Sequence, residues 1–267
     1  VPGVVLSGIH AHLGTSVESP SVYARACAAM MDLMAAVRES TGKTLDHLDL
    51  GGGFPVPTVR EFSPIDAVLH KRLRRKARPP ASDQPGWPAF ASAIASTVAE
   101  RAKRSNLPRP RIFFEPGRAL TSQAQVLLLR VGVVKRRADG SRIAICDGGR
   151  ATNAAPLGNE YHEVLLANRL GATGDAPHTI VGGLCTPGDW TFVRKDLPEL
   201  VPDDLLAVMD AGAYFTSFAN DFAFPRPAIV LLREGEARLI RRRESFEDLT
   251  AMAEDLGLEL ASEEGSP

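Results

Sequence analysis

The chain has 267 residues, with 31 Lys and Arg against 32 Asp and Glu for a net charge of −1, and 44% of its residues are hydrophobic. Near-neutral charge gives no general drive toward nucleic acid or an anionic membrane surface, and no apolar run approaches the roughly 20 residues that a bilayer-spanning helix needs. Cys27, Cys146 and Cys185 are widely spaced and form no Cys-x-x-Cys pair, so neither a disulfide framework nor a structural zinc site is supported.

Val4 to Ile9 is mostly apolar and β-branched and is followed by Gly14-Thr15, which predicts a buried strand ending in a functional loop. Ser19-Pro20, then Ala24, Cys27, Met31, Met34 and Val37 at helical spacing, then Gly42, predict a capped helix. Leu45 to Leu50 reads as a strand closed by Gly51-Gly52-Gly53, Ala89 to Ala102 as a helix, and Arg111 to Phe114 as a strand entering Glu115-Pro116-Gly117-Arg118. Alternating strands and helices with glycine-rich ends are the pattern of a parallel α/β domain.

Beyond Ala119 the pattern changes. Val126 to Val134, Ile143 to Cys146, His178 to Val181, Leu205 to Met209 and Ala228 to Leu232 are separated by Gly, Pro and Asp turns, which predicts a mainly antiparallel β domain. Ser245 to Leu258 reads as a terminal amphipathic helix and Ala261 to Pro267 as a frayed acidic tail. His70 to Arg78 holds six Lys and Arg in nine residues and is expected to be a solvated surface insertion.

Glycines after a strand let backbone N–H groups turn toward an anion, as Leu48 to Phe54 could, although a tight βα connection uses the same residues. Glu115 and Arg118 add a carboxylate and a guanidinium suited to bidentate phosphate contact. The order of motifs is more specific than any one of them. It runs through Gly8-Ile9-His10-Ala11-His12-Leu13-Gly14-Thr15, Leu48 to Phe54, Glu115 to Arg118 and Cys146-Asp147-Gly148-Gly149. It continues through Gly183-Leu184-Cys185, Gly188-Asp189, Asp210 to Tyr214 and Pro225 to Ala228. In this order it resembles the fold-type III decarboxylases dependent on pyridoxal 5'-phosphate (PLP), which include diaminopimelate, ornithine and arginine decarboxylases.

The resemblance implies the later part of an alanine-racemase-like PLP-binding (β/α)8 barrel in residues 1–122. It implies a mainly antiparallel β domain in 123–240, leaving the terminal helix and tail in 241–267. His12 matches the histidine stacked on the cofactor ring, and Glu115 the residue facing the pyridine nitrogen, where a carboxylate favours a protonated, electron-accepting ring. Thr15, Gly51, Gly52, Gly53, Gly117, Arg118 and Tyr214 match positions around the cofactor phosphate. Cys185 matches the catalytic cysteine that enters the partner subunit's site in a homodimer and supplies a proton after decarboxylation. No metal is implied, and His10 is expected to be a hydrogen-bonded histidine without a cofactor role.

Departures from the family restrict the substrate. An acidic residue that holds a distal ammonium normally follows this cysteine, and here Thr186 stands there; an arginine normally precedes the proline at 156, and here it is Ala155. Both argue against free diaminopimelate and for a modified or conjugated amino acid, of the kind handled in siderophore or other secondary-metabolite pathways. Asp147 and Thr186 remain as candidate substrate contacts, with an ordinary turn role open for Asp147. The family's Schiff-base lysine lies upstream of the histidine motif, but no lysine precedes His12 here; Lys43, Lys71, Lys76, Lys103, Lys135 and Lys195 all follow it. The chain also opens on Val1 without a signal-peptide pattern, so it is expected to be the later portion of a longer cytoplasmic decarboxylase, or one piece of a split enzyme. A non-catalytic PLP-fold binding homologue is the alternative, and a racemase is disfavoured by Glu115.

Overall fold

The computed structural model describes residues 3–81 and 83–253. The first part of the chain forms β1 (Gly8–His10), α1 (Pro20–Thr41), β2 (His47–Asp49), β3 (Arg60–Glu61), α2 (Pro64–Lys71), α3 (Trp87–Arg104) and β4 (Arg111–Phe113). β1, β2 and β4 make a parallel sheet with β2 in the centre. Its register aligns Gly8 with His47 and His47 with Arg111, and at the other end His10 with Asp49 and Asp49 with Phe113. The loops leaving all three strands therefore emerge side by side at one sheet edge, where α/β folds collect ligands.

Two long helices cover this sheet. α1 starts with Pro20 in its first turn and stops at Gly42, whose φ of 71° closes the last turn with a hydrogen bond from its N–H to the Arg38 carbonyl at 2.9 Å. Tyr23, Cys27, Met30, Met31 and Met34 form its buried stripe, and Phe90, Ile94, Val98 and Ala102 form that of α3. These stripes enclose Leu45, Leu48, Leu50 and Phe54 in one apolar core. Asp32 accepts two hydrogen bonds from Arg101, at 2.9 and 2.8 Å, and so ties the two helices at the surface.

The second part contains α4 (Arg118–Thr121), β5 (Leu127–Arg136), β6 (Arg142–Cys146), β7 (Glu160–Tyr161), β8 (Val164–Leu166) and β9 (Ala176–Val181). It continues with β10 (Trp190–Leu197), β11 (Leu205–Val208), β12 (Ile229–Arg233), β13 (Glu236–Arg241) and α5 (Phe246–Thr250). Six of these strands form a sheet in the order β10-β9-β6-β5-β11-β8, antiparallel except for the parallel pair β6 and β9. Leu129, Val131, Ala144, Ile180, Leu206 and Val208 belong to its separate core. β3 pairs with β7, joining the segment after the glycine triplet to this second part, and β12 and β13 form an exposed hairpin.

Several sequence expectations need correction. Val4 to Leu6 are not a buried strand: they are exposed and outside β1, which is the sheet edge and has only β2 as a partner among the described residues. Without a second partner strand, their apolar side chains have nothing to pack against. The basic segment is not simply a solvated loop. Its start belongs to α2, where Ser63 and Asp66 form a reciprocal capping box. Further on, Arg74 lies over the Trp190 ring at 4.0 Å and Lys76 pairs with Asp196, so β10 anchors it. β10 and β13 were not anticipated. The terminal helix spans only Phe246–Thr250, and the part of its expected range beyond 253, with the expected tail, lies outside the described residues.

Candidate active site

The parallel strands end in three loops held together by backbone hydrogen bonds. Ala11 N–H donates to the Asp49 carbonyl at 2.9 Å, Leu50 N–H to Phe113 at 3.1 Å, Glu115 N–H to Gly51 at 2.9 Å and Val17 N–H to Gly53 at 2.8 Å. The glycines are required here. Gly51 and Gly53 have φ of 62° and 82°, and a Cβ on Gly53 would lie 2.0 Å from the Gly14 carbonyl oxygen. A Cβ on Gly52 would lie 2.4 Å from the Glu115 carbonyl oxygen. Tyr23 donates its hydroxyl hydrogen bond to the Gly52 carbonyl at 2.9 Å from below, so the helical core fixes the triplet.

His12 stands at the mouth of this arrangement, and its Nδ1 accepts the Gly52 N–H at 3.4 Å. That bond places the proton of a neutral ring on Nε2. Thr15 lies on the same exposed loop, between Gly14 and Ser16, both of which have positive φ. Glu115 is exposed and its Oε2 is 3.7 Å from His10 Nε2. His10, Asp49 and Glu115 bring one donor atom each within 4.8 Å of one another. Asp49 Oδ1 is already engaged by the Gly51 N–H at 2.9 Å.

Gly117, with φ of 35°, turns the chain into the short α4 and places Arg118 against the second part of the protein. Arg118 Nη1 lies 2.6 Å from Glu160 Oε1, and both side chains are nearly buried. The approach is outside hydrogen-bond geometry, so this nitrogen has a charge partner but no hydrogen-bond acceptor among the described residues. Glu160 Oε2 is 3.2 Å from His162 Nε2, and the Met209 carbonyl accepts from His162 Nδ1 at 2.9 Å. Tyr214, with φ of 68°, sets its ring 5.4 Å from the Arg118 guanidinium and stacks on Phe218. Its loop is held by the Gly212 N–H, which donates to the Ser122 carbonyl at 2.9 Å.

Cys185 is exposed on a turn whose anchor is Asp189. The buried Asp189 carboxylate accepts from Ala151 N–H and Leu184 N–H, each at 3.0 Å. Thr186 closes the turn, its Oγ1 accepting from Gly188 N–H at 3.2 Å and its carbonyl from Asp189 N–H at 3.1 Å. Asp147 Oδ1 accepts from Arg130 N–H at 2.8 Å, which ties that carboxylate to β5 at the end of β6 remote from the hairpin turn. The other two cysteines are held in the thiol form: burial pushes Cys27 up to about 11 and Cys146 up to about 12.

His12, Gly51, Gly52, Gly53 and Glu115 thus share one loop cluster, with Thr15 on the loop that closes it and Gly117 two residues beyond Glu115. Arg118 and Tyr214 meet beside it. No hydrogen bond, ion pair or ring contact among the described residues joins Cys185, Thr186 or Asp147 to that cluster. Lys76 is paired with Asp196, and Lys195 is buried, donating to the Tyr161 hydroxyl at 2.9 Å and pairing with Glu163 at 2.6 Å. Burial lowers the Lys195 pKa against the opposing pull of Glu163. Glu160 and His162 were missed by sequence reading; the run Glu160-Tyr161-His162-Glu163 between apolar strands was the available signal. A phosphate-bearing cofactor fits the cluster through its glycines, which have no room for a Cβ and let the backbone approach an anion closely.

Residues 2–122 match the family described as pyridoxal-dependent decarboxylase, pyridoxal binding domain. A diaminopimelate decarboxylase of Methanothermobacter thermautotrophicus is 33% identical over 91% of this chain and 52% of its own length. One from Actinosynnema pretiosum is 35% identical over 93% of this chain and 51% of its own. A crystal structure of diaminopimelate decarboxylase from M. jannaschii in complex with L-lysine superposes with a TM-score of 0.76 at 26% identity, covering 93% of this chain and 52% of that one. The chain spans about half the length of these relatives.

Proposed function

We propose, from the match of residues 2–122 to the pyridoxal binding domain of pyridoxal-dependent decarboxylases, that the chain belongs to that family and is the cofactor-holding and β-domain portion of a PLP-dependent amino-acid decarboxylase. The supporting observation is the convergence of three strand-end loops on the glycine triplet, with the largely buried Arg118 guanidinium two residues beyond Pro116. Bound PLP supplies an electron sink for the pair released when an α-carboxylate leaves as carbon dioxide. The protein's own part is to hold and orient it. Gly53, Gly117, Arg118, Thr15 and Tyr214 bind the phosphate, His12 lies against the ring face, and Glu115 holds a proton at the ring nitrogen.

In this reading residues 1–122 are the later part of the barrel and 123–240 the β domain. Cys185 donates a proton in a neighbouring subunit's site, so the active unit is a homodimer, and its exposure on the Asp189-anchored turn supports that. Three free cysteines suit a reducing, cytoplasmic setting. Thr186 and Ala155 favour an amino acid whose distal end carries neither the free ammonium nor the free carboxylate of diaminopimelate. Free diaminopimelate is the second reading, favoured by the relatives at 33% and 35% identity. Cofactor retention by dialysis tests the main assignment: Arg118→Ala is expected to lose PLP more readily than Glu115→Gln, because the first removes a binding group and the second changes a ring contact. Equal retention would remove both assignments.

A further inference from the structure

One cavity does not open on the glycine loops. It encloses about 490 Å3 between the end of α2, the basic segment and β10. Arg74, Arg75, Lys76, Arg78, Arg194 and His70 contribute to its wall. Asp66 is the lining carboxylate, and it is taken by Arg60 at 2.7 Å and by the cap of α2. Among the described residues, no carboxylate lies within ion-pair distance of Arg75, Arg78 or Arg194. These side chains are exposed, so water screens their mutual repulsion, but their convergence on one concavity concentrates a positive potential that attracts an anion.

The backbone points the same way. Arg74 and Arg194 have φ of 51° and 53°, a conformation that side chains with a Cβ disfavour. Arg194 interrupts the pairing of β10 with β9 between Phe192 and Lys195, a break that bends a strand and re-aims its side chain. The wall is also braced before any ligand arrives, by the Arg74 stack on Trp190 and the Lys76 pair with Asp196. Strain and unmatched charge held in place around a cavity are features of a binding site.

We propose that this cavity binds a small phosphorylated molecule carrying at least two negative charges on its phosphates. Guanidinium groups match phosphate oxygens in pairs, and the volume is that of a small-ligand site. The site is distinct from the proposed cofactor cradle. A neighbouring cleft that shares Phe62, His70 and Lys76 with it reaches Glu160, the partner of Arg118.

Titration calorimetry of the 267-residue chain with inorganic pyrophosphate, at about 0.15 M salt so that diffuse attraction is screened, is the test. Saturable binding is expected, tighter than for orthophosphate, and Arg75→Ala and Arg194→Gly should each weaken it by about tenfold or more. Arg194→Gly separates function from folding: glycine accepts the positive φ, so the thermal midpoint should hold or rise while affinity falls. No saturable binding, unchanged affinity in both cavity variants, or loss in Arg118→Ala alone would overturn the proposal.

Discussion

Around the glycine triplet, His10, His12 and Glu115 stand exposed while backbone hydrogen bonds between loops carry the geometry. In the six-stranded half the polar groups go inside and are held by specific partners. Asp189 accepts from two backbone N–H groups, Asp204 from Arg169, and Lys195 is enclosed by Tyr161 and Glu163. One half keeps its chemistry free on a rigid backbone, as a ligand site requires; the other uses its charged groups to fix a scaffold. Side-chain substitutions should therefore act on binding in the first half and on stability in the second, while glycine substitutions should reverse that in the first.

The largest effect is expected for Gly53→Ala. A Cβ 2.0 Å from a carbonyl oxygen, added to a φ of 82°, should cost about 3 kcal/mol or more, read as a large fall in the thermal midpoint. If the midpoint holds, the three loops are not rigidly joined. Next is Asp189→Ala, which leaves two N–H groups without their acceptor and should cost about 2 to 3 kcal/mol. Alkylation of Cys185 should speed up as its turn loosens; an unchanged rate would show the turn to be held by something else.

A smaller, pH-dependent effect is expected in the second half. Burial by itself would raise the carboxyl pKa of Asp204 and of Glu163. Arg169 and the Val201 N–H outweigh it for Asp204, and Lys195 and Tyr161 for Glu163, so both end below the usual carboxylate range. A folded pKa below the unfolded one gives stability that is present above about pH 4, the ordinary carboxylate value, and is lost as pH falls through the folded value. Asp204→Asn should flatten this acid limb in urea titrations at successive pH values. A limb of unchanged slope would assign the acid sensitivity elsewhere. Glu115→Gln should change stability least, within about 0.5 kcal/mol, because the carboxylate is exposed and meets only His10.

The halves also differ in how much their sequence discloses. α1 and α3 were legible because Cys27, Met31 and Met34, or Phe90, Ile94, Val98 and Ala102, recur at helical spacing, and the triplet Gly51 to Gly53 marked the loop edge. β10 was hidden because Arg194, Lys195 and Asp196 interrupt its apolar pattern. Lys195 is buried only because Tyr161 and Glu163, more than thirty residues earlier, fold against it. Glu160 was missed for the same reason, since its partner Arg118 is distant in sequence. α2 ends inside the charge run that starts at His70, although its cap, Ser63-Pro64-Ile65-Asp66, was visible. Val4 to Leu6 failed in the other direction: local apolarity predicted burial, and the edge position of β1 leaves them exposed.

The central claim is that the glycine loops and Arg118 together hold a phosphate. Fluorescence titration of the chain with pyridoxal phosphate and with pyridoxal, in the wild type and in Arg118→Ala, tests it most directly. The phosphorylated form is expected to bind at least about tenfold more tightly than pyridoxal in the wild type, with most of that preference gone in Arg118→Ala. Equal affinity for the two aldehydes in the wild type, or a phosphate preference that survives Arg118→Ala intact, would contradict it.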